Sequence, residues 1–149
     1  MSTNTGIDPL RLMTAIWHVR MAMLERFGRR VEEETGITAK DFFALKNVER
    51  GLCYPSDIAG NMMLPTYAVS RILEGLANLG LLERQLDETD ARRIRLSLTK
   101  KGQKALESSQ AVWRAEISTL LHRLPHEHQE QLVQHLETLA HFSREPRAP

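Results

Sequence analysis

Six side chains stand out for the chemistry they could do: Thr66, Tyr67, Ser70 and Arg71 at the head of one amphipathic segment, and the neighbours Arg92 and Arg93 in a polar loop. All are suited to binding. Hydroxyls can bond phosphate oxygens or base edges, and a guanidinium fork can grip two acceptors of a guanine or a phosphate at once. Nothing comparable points to catalysis. The chain has no glycine-rich phosphate loop and no plausible Ser/His/Asp arrangement, and its one thiol, Cys53, has no obvious Lys, Arg or His neighbour in sequence. Cys53 sits in Gly51-Leu52-Cys53-Tyr54 before the turn at Pro55, where a small apolar side chain is expected to be buried. It cannot form an intrachain disulfide, which agrees with a reducing compartment. The six histidines gather mostly in the C-terminal third, but Pro125 breaks the helix between His122 and His126, so no metal site and no cofactor is expected.

The elements that must position those six residues follow from periodicity. Leu82–Leu86 and Ile94–Leu98 alternate apolar with polar residues around the loop 87–93, the period-two pattern of a half-buried hairpin. Before it, Leu64-Pro65 opens a helix over 65–79 whose Val69, Ile72, Leu73, Leu76 and Leu79 define an inward face, closed by Gly80. Thr66, Tyr67, Ser70 and Arg71 are left facing out. Ser56 to about Met62 makes a short helix with Ile58 and Ala59 inward, and Thr38 caps a helix carrying Phe42, Phe43, Leu45 and Val48.

A long helix over 8–34 starts at Asp8-Pro9 and ends at Thr35-Gly36. It carries two apolar stripes, Leu10, Met13, Trp17, Met21, Leu24 and Val31 on one side and Leu12, Ile16, Val19, Met23 and Phe27 on the other. Such a helix must bury two faces, one in its own domain and one in a partner, here a second copy of the chain. After the hairpin, Thr99 caps a helix with Leu106, Val112, Trp113, Ile117, Leu120 and Leu121, and Leu124-Pro125 separates it from a last helix with Leu132, Val133, Leu136, Leu139 and Phe142 inward. The tail 143–149 reads as frayed.

Composition bounds the partners. At 149 residues, 42% hydrophobic and 26% charged, the chain fits one globular domain. No apolar run reaches the roughly 20 residues of a membrane span and Met1 to Pro9 has no signal-peptide pattern, so the expected location is the cytoplasm. The net charge of +1 is uneven: residues 64–104 hold eight basic against five acidic residues, whereas 105–149 hold four against six. The positive excess lies on the hairpin and its flanks.

In order and spacing, Leu79-Gly80-Leu81-Leu82-Glu83-Arg84, then Asp87-Glu88-Thr89-Asp90-Ala91-Arg92-Arg93, then Leu98-Thr99-Lys100-Lys101-Gly102 resemble the run of a MarR-type transcriptional regulator from recognition helix through wing to the next helix. The resemblance extends over roughly residues 8–142 and implies a mainly α fold. A winged helix-turn-helix lobe at 38–98 with one β-hairpin wing would be joined to dimerisation helices at 8–34 and 99–142, all within a single domain over 1–149. It further implies a homodimer that binds a pseudo-palindromic double-stranded DNA operator, with helix 65–79 in the major groove and Arg92 or Arg93 in the minor groove. A repressor released by a small, often phenolic or anionic effector is the expected function. Trp17, His18 and Arg20 are the candidate effector-binding residues in the pocket that the family places between dimerisation helices and DNA-binding lobe. The oxidant-sensing branch uses a cysteine near the start of the first helix, which this chain lacks. Two positions depart from the family pattern: Leu64 and Pro65 replace the usual polar cap, and Ala91 stands where Arg is common. The rival from another class is a winged-helix protein-interaction module without DNA binding.

Overall fold

A computed structural model describes residues 6–145, and its described secondary structure is helical apart from one hairpin. Helix α1 (Pro9–Ala22) starts at Asp8, whose Oδ1 accepts the Leu10 N–H at 3.1 Å. A π-helical segment, Met23–Gly28, and helix α2 (Arg29–Thr35) continue the run to Gly36, where a φ of 70° ends it. The regular helix expected over 8–34 is thus corrected. The wider π turn shifts the phase of the side chains that follow it, so neither apolar row runs through as a continuous stripe. Leu10, Leu12, Met13, Ile16, Trp17 and Val19 are exposed, Met21, Met23, Leu24 and Phe27 are half-buried, and Val31 is fully buried. The helical run therefore covers its own domain only in its second half.

Helix α3 (Ala39–Glu49) opens with a complete capping box: Thr38 Oγ1 accepts the Asp41 N–H at 3.1 Å, and Asp41 Oδ2 accepts the Thr38 N–H at 3.1 Å. Ala44, Leu45 and Val48 are buried, whereas Phe43 is exposed and meets Phe42 edge-on at 5.3 Å. Helix α4 (Pro55–Met62) buries Ile58 and Ala59 and ends at Met63 in the left-handed region. Helix α5 (Thr66–Asn78) buries Val69, Leu73 and Leu76. Leu79 is corrected from core to surface: it lies beyond the last helical residue, is 54% exposed, and leads into the left-handed Gly80.

Strands β1 (Leu82–Leu86) and β2 (Ile94–Leu98) pair antiparallel, with Leu82 opposite Leu98, Arg84 opposite Leu96 and Leu86 opposite Ile94. Burial follows the alternation only at the base. Leu82 and Leu96 are enclosed, but Leu86 and Ile94 are exposed because the hairpin projects past the helices that cover its root. Leu96 N–H also donates to the Cys53 carbonyl at 2.8 Å, laying the segment before α4 along β2.

Helix α6 (Lys100–Leu121) contributes Leu106 to a core shared with Ile37, Leu45, Ile58, Val69, Leu73, Leu76 and Leu96. Helix α7 (His126–Arg144) starts after Pro125. Its Leu132, Val133, Leu136, Leu139 and Phe142, expected inward, are exposed in the single chain. Ser143 and Arg144 belong to this helix rather than to a frayed tail, of which residues 146–149 lie outside the described ones. The chain divides into two compact units, Met1–Trp113 and Arg114–Pro149. Among the described residues no helix is long and apolar enough to cross a membrane.

Candidate nucleic-acid interface

With Val69, Leu73 and Leu76 turned into the core, the opposite side of α5 presents Thr66, Tyr67, Ser70 and Arg71 together, all exposed, with Tyr67 at 71%. Pro65 is the N-cap and no side chain caps this end. The first N–H groups and the positive end of the helix dipole are thus left to an external anion. Before α5, Leu64 N–H donates to the Ala59 carbonyl at 3.2 Å, closing a tight turn from α4.

The far end of α5 is tied down by the residues that follow the hairpin. Thr99 Oγ1 donates to the Gly80 carbonyl at 2.6 Å, Thr99 N–H to the Leu81 carbonyl at 3.2 Å, and Lys101 Nζ to the Leu79 carbonyl at 2.7 Å. Thr99 Oγ1 also accepts the Gly102 N–H at 2.9 Å, so one hydroxyl caps α6 and braces the end of α5. Gly102 is required by proximity: a Cβ there would lie 2.0 Å from the Leu81 carbonyl oxygen. Leu98-Thr99-Lys100-Lys101-Gly102 is therefore a clamp holding α5, hairpin and α6 in fixed relation.

Between the strands, the wing is organised by Asp87, a carboxylate only 8% exposed. Its Oδ1 accepts the Thr89 N–H (2.8 Å), the Thr89 hydroxyl (2.6 Å) and the Asp90 N–H (3.0 Å), while its Oδ2 accepts the Tyr54 hydroxyl from the start of α4. These bonds, the Thr89 hydroxyl first and the Tyr54 hydroxyl second, hold Asp87 well below the usual carboxylate range. In return, the bond to Asp87 raises the Tyr54 phenol above its ordinary value, with burial adding to it.

The two wing arginines differ. Both are exposed, but the Arg93 guanidinium lies over the Tyr54 ring at 3.6 Å from its centre, a contact Arg92 does not make. Asp90 acts on the backbone of both arginines. Its Oδ1 accepts the Arg92 N–H at 3.0 Å and its carbonyl accepts the Arg93 N–H at 2.9 Å.

Cys53 is not enclosed in apolar surroundings as expected. It is half-buried, its thiol donates to the Gly51 carbonyl at 3.2 Å, and the Arg95 guanidinium hydrogen-bonds its side chain, raising the arginine. Both border an open groove of about 420 Å³ that Glu49, Gln85 and Gln103 also line. Sequence distance hid this pair, since 42 positions separate the two residues that the hairpin brings together. Tyr54 and Asp87 were missed for the same reason, although Asp87-x-Thr89 is a local sign of a side chain folding back on its own loop.

On α1, Trp17, His18 and Arg20 are exposed, with Trp17 at 57%, and the Arg20 guanidinium stands 6.0 Å from the Trp17 ring centre. Among the described residues no cluster of three His, Cys, Asp or Glu side chains could hold a metal ion.

Residues 35–93 match the model of the MarR family. No curated protein sequence matches the chain. Among solved structures the chain is similar to the transcriptional regulator BldR of Sulfolobus solfataricus, at 22% identity and a TM-score of 0.80, covering 88% of this chain and 93% of that one. It is also similar to S. aureus MepR in a DNA complex, at 23% identity and a TM-score of 0.74, covering 93% and 99%. A MarR family protein of Mycobacterium tuberculosis in complex with p-aminosalicylic acid is similar at 20% identity and a TM-score of 0.72, covering 87% and 98%. At these identities the likeness establishes the fold.

Proposed function

We propose that this chain is a MarR-type winged helix-turn-helix protein and a sequence-specific double-stranded DNA-binding transcriptional regulator, an effector-responsive repressor that acts as a homodimer on a pseudo-palindromic operator. The observation that carries this reading is the outward row Thr66, Tyr67, Ser70 and Arg71 at the uncapped start of α5, followed in the chain by an arginine-bearing wing. In this reading α5 enters the major groove, its dipole end and hydroxyls meet phosphates, Arg71 reads a base edge, and Arg92 or Arg93 enters the minor groove. The DNA complex of the similar MepR supports it. The protein acts by binding rather than as an enzyme, and in the cytoplasm.

The domain is read as one functional unit, with residues 38–98 as the DNA-binding lobe and the helices over 8–34 and 99–142 as dimerisation elements. The exposed apolar residues of α1 and of α7 are what such helices would bury against a second copy. Trp17, with Arg20 near its ring and His18 beside it, is the candidate site for an aromatic or anionic effector, in line with the p-aminosalicylic acid complex of a similar protein.

The deciding experiment is fluorescence-anisotropy binding to the DNA upstream of the protein's own gene across a salt series. Arg71→Ala is expected to cost about 1–3 kcal/mol at a selective site, and Arg92→Ala/Arg93→Ala to weaken binding further. Equal, weak affinity for all sequences would reject operator reading and favour an interaction module.

A further inference from the structure

Arg92 and Arg93 are neighbours in the same loop, yet the fold treats them differently. Arg93 is tied to the body of the lobe: its guanidinium stands 3.6 Å from the centre of the Tyr54 ring, its N–H donates to the Asp90 carbonyl and its own carbonyl accepts the Asp87 N–H at 2.9 Å. Arg92 is held at its backbone by the bond from its N–H to Asp90 Oδ1; both side chains are exposed, and the difference between them is that Arg93 stands over a ring while Arg92 has no such contact. Tyr54 joins the two halves of this arrangement, because its ring carries Arg93 while its hydroxyl binds Asp87, the carboxylate around which the loop 87–90 folds. It occupies the N-cap position of α4 but gives that helix no side-chain cap; its side chain serves the wing, 33 residues away.

We propose that Tyr54 is a positioning residue of the DNA interface, a clasp between the first helix of the helix-turn-helix and the wing that withholds Arg93 and presents Arg92 as the wing arginine that meets DNA. The proposal rests on the DNA-binding reading above. Its physical basis is preorganisation. A loop fixed before binding loses less conformational freedom on contact. An arginine held over an aromatic ring would have to give up that contact to reach a groove, whereas one without a ring contact gives up none. The same clasp ties the wing to the start of α4, so the spacing between the two reading elements is set by the protein rather than by the DNA.

The test uses the full chain and a duplex that the wild-type protein selects from a random pool. Binding is measured by anisotropy across a salt series for Arg92→Ala, Arg93→Ala, Tyr54→Phe, Tyr54→Ala and the double variant Tyr54→Ala/Arg93→Ala. Trypsin cleavage after Arg92, in the absence of DNA, is followed by mass spectrometry. Arg92→Ala should lower the salt slope by about one. Tyr54→Ala, which loses both the ring contact and the bond to Asp87, should weaken binding about tenfold with the slope unchanged, Arg93→Ala, which loses only the ring contact, by a smaller factor, and the double variant no more than Tyr54→Ala, because the Arg93 contact is already gone. Tyr54→Ala should speed cleavage in the wing, and Tyr54→Phe, which keeps the ring and the folded lobe, should lie between it and wild type. Multiplying losses in the double variant, a lowered salt slope for Arg93→Ala, or wing cleavage indifferent to Tyr54→Ala would each overturn the clasp. Failure to select any duplex would instead overturn the DNA-binding reading on which it rests.

Discussion

A single carboxylate governs the wing. Asp87 accepts four hydrogen bonds in a nearly enclosed position, so replacing it with Asn removes charge from every one of them. Its folded-state value is depressed below the ordinary 3.8, so its contribution to stability is present in full above that value and is lost as the pH falls through the folded value. Thermal melts of the wild type and Asp87→Asn are therefore expected to differ by a constant gap from neutral pH down to about pH 5, narrowing below about pH 4. A gap independent of pH would show that the amide fills the same role as the carboxylate. Asp87 and Thr89 are readable in sequence as a turn former with a hydroxyl two positions on. Their partner Tyr54 is not, because no local pattern links residues at the start of a helix and in a distant loop.

Among the elements, the helix-turn-helix and the clamp behind it are the parts whose geometry is most tightly prescribed. Met63 takes a left-handed conformation, φ 53° and ψ 39°, at the end of α4, and its side chain is 71% exposed. A non-glycine residue there costs roughly 1 kcal/mol and no packing is lost by removing it, so Met63→Gly should raise the melting temperature by a few degrees. Gly102 has the opposite sensitivity. Its added Cβ would strike the Leu81 carbonyl, which Thr99 N–H already holds, so Gly102→Ala should destabilise the lobe by about 1–3 kcal/mol in denaturant melts. The element boundaries were largely legible, because Asp8, Thr38 and Thr99 are caps by residue type and Gly36 and Gly80 are stops. The π segment was not. A wide turn depends on how Met23–Gly28 meets the rest of the fold, and its residue types continue an ordinary helix pattern.

For the molecule as a whole, the exposed apolar residues on α1 and on α7 set the main prediction. Leu10, Met13, Ile16 and Trp17, like Leu132, Leu136 and Phe142, lie in solvent in the single chain, more apolar surface than a monomer usually leaves open. Sedimentation at micromolar concentration is expected to give twice the 17.0 kDa mass, and Leu136→Glu to shift the equilibrium toward monomer. A folded 17.0 kDa monomer would reject the dimer. Loss of dimer should also weaken operator binding, because two half-sites held together bind far more tightly than either alone.

By itself the sequence determined the order of the helices, the one hairpin, the inward face of α5 and hence the outward set Thr66, Tyr67, Ser70 and Arg71. Each of these follows from residue type and short-range periodicity, which act within a few positions along the chain. Tertiary structure alone decided that Arg93 and not Arg92 meets the Tyr54 ring, that Cys53 meets Arg95, and that Leu79, Leu86 and Ile94 lie at the surface. Those outcomes depend on where a hairpin leaves the body of the protein and on what stands across from it. Periodicity can show that a side chain points to one face, but whether another element covers that face is settled only by packing.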